Sequence, residues 1–484
     1  MLHYFQLIMK SSKLVSILKT FDVTNWKAFN RFVQSIYHNR RPKVNELLVL
    51  LKKAAPQWKD KNLKKQVMYS KLFPGELYNE DRITELMKVM IKLIEQYWLI
   101  NEKTEPTEKY RKLALAYHNQ GFPNYRDILM DKALKSLQQE QMDAETYHSH
   151  LFRHQLALYH LVEAEGKRNQ EPNLQSLHDQ FDAYYICTKL KYYCKVLNYQ
   201  NFRSHPYEIR MMDAVLQEAA QPSYLKIPSI QIYYHGVYTL LSLDNESNFK
   251  ALKNLLAKNT KTFSVNELQN IFVLARNFCI KNLNRGKQLY RKETLNLYKI
   301  ELAENIILED GKVPDADCRN IIKLALLEQE VDWALSFLEE FKHQISKEVY
   351  TLSLGHLYFQ QLQYNAILKL LLPLNFKEVL LELSARALIL KTYFQLCRTT
   401  SDFKYEDKLE AYLDSFNVFL KRKKETLTRG YLLYLNLVKF TQAINKLYWK
   451  SKFDKNKLSE IHQQILVTPE TAEWDWLKEI SKIS

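Results

Sequence analysis

The chain has 484 residues, of which 46% are hydrophobic and 26% charged, with 8 Gly, 12 Pro, 5 Cys and a formal net charge of +16. Glycine is the usual residue for positive-φ turns and for close backbone approach to phosphates. Its scarcity argues against hairpins, barrels and nucleotide-cradling loops, and for long helices joined by short turns.

The opening Met1 to Ile8 is apolar but short, with no leading basic region and no small-residue cleavage site, so it does not read as a signal peptide. Met9-Lys10-Ser11-Ser12-Lys13 reads as the more natural start, with residues 1–8 as an extension. No run approaches the ~18 apolar residues of a membrane-spanning helix. The cysteines form no CxxC pair, and Cys187 and Cys194 lie too far apart on one helix to bridge. Reduced core thiols and a cytoplasmic location are expected.

Charge is unevenly placed. Residues 1–75 carry 15 Lys and Arg against 3 Asp and Glu, and Lys421 to Lys457 carry 11 against Glu425 and Asp454. Two basic segments imply an acidic partner surface.

In chain order, Asp22 or Thr24 caps a helix with the stripe Trp26, Phe29, Phe32, Val33 and Ile36. Pro42 opens the next, through Val44, Leu47, Leu48 and Leu51, and Lys61 to Leu72 supplies another, stopped by Phe73-Pro74-Gly75. Asn79 caps a strongly amphipathic helix through Ile83, Leu86, Met87, Met90, Ile91, Ile94, Tyr97 and Trp98, with Glu80 and Asp81 in its first turn. Four more helical stretches are predicted from Glu105 to Gln221, punctuated at Gly121-Phe122-Pro123, Gly166, Pro172 and His205-Pro206. One of them spans residues 173–200. Beyond Pro222 helices recur in pairs about every 35 residues, the rhythm of stacked helical hairpins. The domains expected are a basic bundle over 1–101, a middle helical segment over 102–225 and a helical array over 226–484.

Within that array, Leu354-Gly355-His356-Leu357-Tyr358 is followed by Tyr364-Asn365-Ala366-Ile367, Leu370, Leu371 and Pro373. This resembles the tetratricopeptide repeat (TPR). Leu362 stands where that pattern usually has Gly, and Ala366 comes one residue early. Leu326 to Leu335 resembles the same helix-to-helix turn one repeat earlier, and Ala385-Arg386-Ala387-Leu388 with Tyr393 a first helix one repeat later. The matching stretch is residues 314–400. As a whole the chain is similar to bacterial proteins of unassigned activity with a small basic helical head and a TPR-like tail. The resemblance implies an α-solenoid whose concave groove, from about residue 228 to 450, binds peptides or protein partners. Independently, Gly inside a helix costs about 1 kcal/mol against Ala, so Gly355 implies a neighbouring helix too close for a methyl group.

Signatures of catalysis are absent. Neither GxxxxGK nor GxGxxG occurs, nor HExxH, nor a GxSxG elbow. His150 and His154 share a helix face, but with His148 pointing elsewhere they fall short of the three protein ligands zinc needs. No enzyme, metal or cofactor is expected. The candidate contact surface is the basic set Arg40, Arg41, Lys43, Lys61, Lys64, Lys65, Lys421, Arg422, Lys423 and Lys424. The fold expected is therefore all-α, a TPR-like solenoid behind a small N-terminal bundle. The function expected is non-enzymatic scaffolding of a protein or peptide partner, an acidic one. The alternative is nucleic-acid binding through residues 40–65 and 421–457, with nearby Trp26, Phe29, Phe32, Tyr37 and Trp58 as base-stacking candidates. Most of these fall on the apolar stripe, which points to core packing instead.

Overall fold

The computed structural model describes residues 12–55, 57–59, 63–102, 104–139, 141–165, 171–200, 205–244, 246–400, 403–427, 429–448 and 454–482. Met9, Lys61 and Gly166 lie outside the described residues. Among those described there are 25 helices and no strand. The chain divides into two compact units, Met1–Ala133 and Leu134–Ser484.

Five helices of the first unit, Lys13–Leu18, Val23–Gln34, Pro42–Ala54, Lys65–Leu72 and Glu80–Asn101, form one core, and Pro106–Asn119 and the start of Pro123–Gln139 follow them in the same unit. The five close around Leu14, Leu18, Phe29, Val33, Leu47, Leu51, Leu72, Ile83, Met90 and Ile94, all fully buried. Helix starts follow local chemistry. Asp22 accepts from the Asn25 N–H at 2.6 Å, Asn79 accepts from the Arg82 N–H at 3.0 Å, and Pro42 occupies the first turn of its helix. Ile36 departs from the expected stripe. The helix ends at Gln34 and Ser35 turns extended, which leaves Ile36 78% and Tyr37 88% exposed. Tyr37 is thus not a core aromatic, whereas Trp26 and Phe29 are buried.

Between Glu105 and Gln221 there are five helices rather than four. The unforeseen break separates Pro123–Gln139 from Ala144–Ala164, with Asp143 as N-cap and neither Gly nor Pro to mark it. The long helix expected over 173–200 is Leu174–Gln200.

In the second unit two cores meet. One gathers buried residues from Ala144 to Ile306 and the other from Leu295 to Ile480. Helix Leu289–Ala303 serves both: Tyr290 and Leu297 face the first, while Leu295, Tyr298 and Leu302 face the second. Helices on either side of residue 225 share the first core.

Further along, Asp315–Leu327, Lys347–Gln360 and Val379–Thr400 lie side by side, and Val331–Glu340 and Tyr364–Leu371 pack between successive members. Gly355 is closely packed on two sides. A methyl there would sit 3.2 Å from Leu371 Cδ1 and 3.2 Å from Leu388 Cδ2, on two different helices.

The turns show how a glycine-poor chain stops a helix. Glu330 N–H donates to Ala325 C=O at 2.8 Å and Gln363 N–H to Tyr358 C=O at 2.9 Å, six-residue closures of the Schellman type. That geometry needs a left-handed residue just before the donor, and Gln329 (φ 60°) and Leu362 (φ 60°) supply it, 33 residues apart. Left-handed backbone costs a non-glycine residue about 1–2 kcal/mol. Leu362 is also exposed and gains little from burial. Leu362→Gly should therefore raise stability by up to about 1 kcal/mol, after the extra unfolded-state entropy of glycine is subtracted. Thermal or urea unfolding checks this, with Gly355→Val as the opposite control, expected to destabilise by about 1–3 kcal/mol through overpacking.

Candidate binding surfaces

The basic residues singled out in the sequence fall into two sets on different units. In the first, Lys43 is engaged: it pairs with Glu46 at 2.8 Å, donates to the Leu72 carbonyl at 2.6 Å and lies over the Phe73 ring. Lys65 is held by Glu80 at 2.8 Å and Arg41 by Glu85 at 3.4 Å. Arg40 and Lys64 are exposed, and Arg40 follows the exposed Tyr37 closely in sequence. In the second set, Lys421, Arg422, Lys423 and Lys424 are all exposed. Lys421 and Arg422 end helix Phe403–Arg422, where cations complement the helix dipole.

Two arrangements that the sequence did not reveal lie in the second unit. The first is a set of positions recurring with the helix pairs. Lys323, His356 and Lys391 sit one on each of the side-by-side helices Asp315–Leu327, Lys347–Gln360 and Val379–Thr400, 33 and 35 residues apart. Of the three, Lys391 pairs with a carboxylate, that of Glu473, on which His356 and Lys323 bear only at longer range. Lys391 Nζ bonds Glu473 Oε2 at 2.7 Å, and the same ammonium lies 4.8 Å from the Phe359 ring centroid and 5.8 Å from that of Trp476. Burial alone would raise the Glu473 carboxyl; Lys391, with His356 and Lys323 behind it, holds it below the ordinary carboxylate value. Burial pushes His356 down to about 4, with Lys391 reinforcing and Glu473 opposing. The imidazole is thus neutral at pH 7, while the two lysines carry the charge.

The second arrangement is a buried polar network around Lys191. Its ammonium meets Glu267 at 3.0 Å, Asp143 at 3.3 Å and Glu145 at 3.8 Å. Burial would lower this lysine, yet Glu267 and Asp143 keep it above its ordinary value and therefore charged. Ser264 caps helix Val265–Asn284 by accepting from the Glu267 N–H at 3.1 Å. The sequence Ser264-Val265-Asn266-Glu267 has capping-box spacing, but the Glu267 carboxylate turns away. It accepts from the Ala144 N–H at 2.5 Å, caps the start of another helix, and also takes the Tyr233 hydroxyl. One buried carboxylate and one buried ammonium thus fasten two helix N-termini together.

Beside this network, His148 Nε2 and Ser229 Oγ are 2.8 Å apart at the wall of a cleft of about 500 Å³, lined also by Leu137, Met142, Tyr147, Ile227 and Phe263. Burial pushes His148 from its ordinary 6.5 down to about 4. His148, His150 and His154 are all buried, and His160 faces Glu163 at 3.7 Å. Among the described residues no group of three or more His, Cys, Asp or Glu is placed to hold a metal. All five cysteines are buried and free. No helix among the described residues is long and apolar enough to cross a membrane.

No protein-family model, curated protein or solved structure matches this chain.

Lys191→Ala should cost about 3–5 kcal/mol in urea unfolding, because it strands Glu267 as an unpaired buried charge. Lys191→Met combined with Glu267→Leu should cost less than the single substitution. For His148 the neutral form is favoured by folding, so its contribution is full above pH 6.5 and is lost as pH falls through about 4. At 1.36 kcal/mol per pKa unit the loss is roughly 3 kcal/mol. Stability measured from pH 7 to pH 4 should accordingly fall less steeply in His148→Gln than in the parent chain.

Proposed function

We propose that this chain is a non-enzymatic interaction scaffold, a TPR-like stack of helix pairs whose repeat surface binds an acidic segment of a protein or peptide partner. The observation that carries the reading is the side-by-side packing of Asp315–Leu327, Lys347–Gln360 and Val379–Thr400, which sets Lys323, His356 and Lys391 on successive helix pairs, 33 and 35 residues apart. Lys323 and Lys391, with the neutral His356 between them, would attract acidic side chains along an extended partner, and the rings of Phe359 and Trp476 flank the Lys391 ammonium. The exposed cations Lys421 to Lys424 would steer such a partner by long-range attraction. The five buried free thiols fit a reducing compartment, and we assign the protein to the cytoplasm.

Lys323 is exposed, so its replacement should leave the fold intact. Affinity purification of the full chain from its native host should recover a protein partner, and Lys323→Glu should weaken that partner's binding at least tenfold with an unchanged melting temperature. Recovery of no partner above background, together with turnover of a small molecule by the purified protein, would refute the scaffold reading.

One observation favours a second reading, in which the basic surfaces bind nucleic acid: Tyr37 is exposed close in sequence to Arg40 and Arg41. Phosphate contacts impose a log–log salt slope of about −0.9 per phosphate on duplex DNA. Under this reading, neutralising Lys421, Arg422, Lys423 and Lys424 together reduces the slope and leaves melting unchanged. Under the scaffold reading, the chain binds labelled DNA and RNA no better than an equally basic control protein.

A further inference from the structure

The cleft beside His148 takes no part in the scaffold reading, and its walls are built as those of a small-molecule site. Its volume of about 500 Å³ falls within the roughly 300–1,000 Å³ typical of such sites. Two segments far apart in sequence are fastened together to form it. Ser264 N–H donates to Met142 C=O at 3.3 Å, and Gln141 Nε2–H to Lys261 C=O at 2.9 Å. Leu137, Met142 and Phe263, all buried, supply apolar lining, so the body of a guest meets hydrocarbon.

Charge in the cleft has one sign. Among the described residues lining it there is no Asp or Glu, and the exposed Lys261 is the one Lys or Arg. The carboxylates of Asp143 and Glu267 lie against Lys191, and those residues line a different, smaller cavity. His148 adds no charge at pH 7, since burial keeps its imidazole neutral. A helix start adds to the positive potential. Ile227, Pro228 and Ser229, the N-cap and first residues of helix Pro228–Leu241, line the wall, and no side chain caps the helix. Among the described residues the N–H groups of Ser229 and Ile230 meet no acceptor. A helix N-terminus left open in this way favours an anion. His148, which bonds Ser229, has unmet polar capacity as well: its Nδ1 has no hydrogen-bond partner among the described residues.

We infer that this cleft binds a small organic acid, with its apolar body against Leu137, Met142 and Phe263 and its carboxylate at the start of helix Pro228–Leu241, where Lys261 adds attraction. The helix start and Lys261 select for the charge, and the apolar walls select against inorganic anions and sugars.

The probe is diphenylacetate, with diphenylacetamide as its uncharged isostere, each measured against the full-length protein by equilibrium dialysis at neutral pH. Diphenylacetate should bind at a single saturable site, about tenfold more tightly than the amide. Lys261→Glu should bring the acid down to the affinity of the amide and leave the amide unchanged. Thr262→Trp, which adds bulk at an exposed lining position, should remove binding of both. Both substituted residues are exposed, so the melting temperature should hold in each variant. Absence of saturable binding, equal affinity for acid and amide, or diphenylacetate binding indifferent to both substitutions would overturn the inference. The scaffold reading is untouched by those outcomes, since it stands or falls with partner recovery and Lys323→Glu.

Discussion

Helix ends are the constraint on which this structure turns. Each helix leaves four N–H groups at one end and four C=O groups at the other without intrahelical partners, and the 25 helices among the described residues must satisfy them repeatedly. It does so with few glycines. Carbonyls are closed by Schellman turns in which Gln329 and Leu362 accept left-handed backbone, and Ile306 N–H closes on Glu301 C=O behind a left-handed Asn305 in the same way. Amides are closed partly by local caps such as Asp22, Asn79 and Ser264, and partly by a residue far away in sequence, as when Glu267 caps Ala144. The last device has a larger consequence than the others. A carboxylate spent on a distant helix start brings its charge into the interior, and Lys191 must follow to neutralise it. The polar heart of the second unit is therefore a by-product of helix termination.

The same economy shapes the later helix pairs. Side-by-side packing of Asp315–Leu327, Lys347–Gln360 and Val379–Thr400 brings corresponding positions into line. Gly355 permits the closest approach, since any larger side chain would strike Leu371 and Leu388. Close packing of the backbone sets Lys323, His356 and Lys391 on neighbouring helices. Keeping the middle member neutral limits repulsion within the set, so that the charge is carried by its two ends.

Much of the fold was legible in the residues. Glycine scarcity and apolar spacing gave the helical class, Asn79 and Pro42 marked real helix starts, and Gly355 marked a real close contact. Other features were hidden for physical reasons. Ile36 continues the apolar spacing of its helix, but the backbone turns extended at Ser35, and spacing alone carries no information about where a helix without a glycine stop will end. Asp143 begins a helix with no breaker before it. The role of Lys191 has no local signal, because its carboxylates come from residues 143, 145 and 267. The Lys323, His356 and Lys391 set had a signal that could have been found, namely a spacing of 33 and 35 residues once the chain is aligned on Gly355. Its counter-charge, Glu473, had none.

Helix Leu289–Ala303 contributes side chains to two cores at once, with Arg276 and Glu301 paired in the interior beside it and Tyr298 reaching Asp317 at 2.8 Å. In an array where each unit touches only its neighbours, fraying can travel inward from an end one pair at a time. Here such a wave meets a helix that cannot be released on one side without stripping apolar cover from the other. The two cores are thereby coupled mechanically as well as thermodynamically: a force applied near the C-terminus would peel the later pairs in sequence, then meet a step of higher resistance where both cores must yield together.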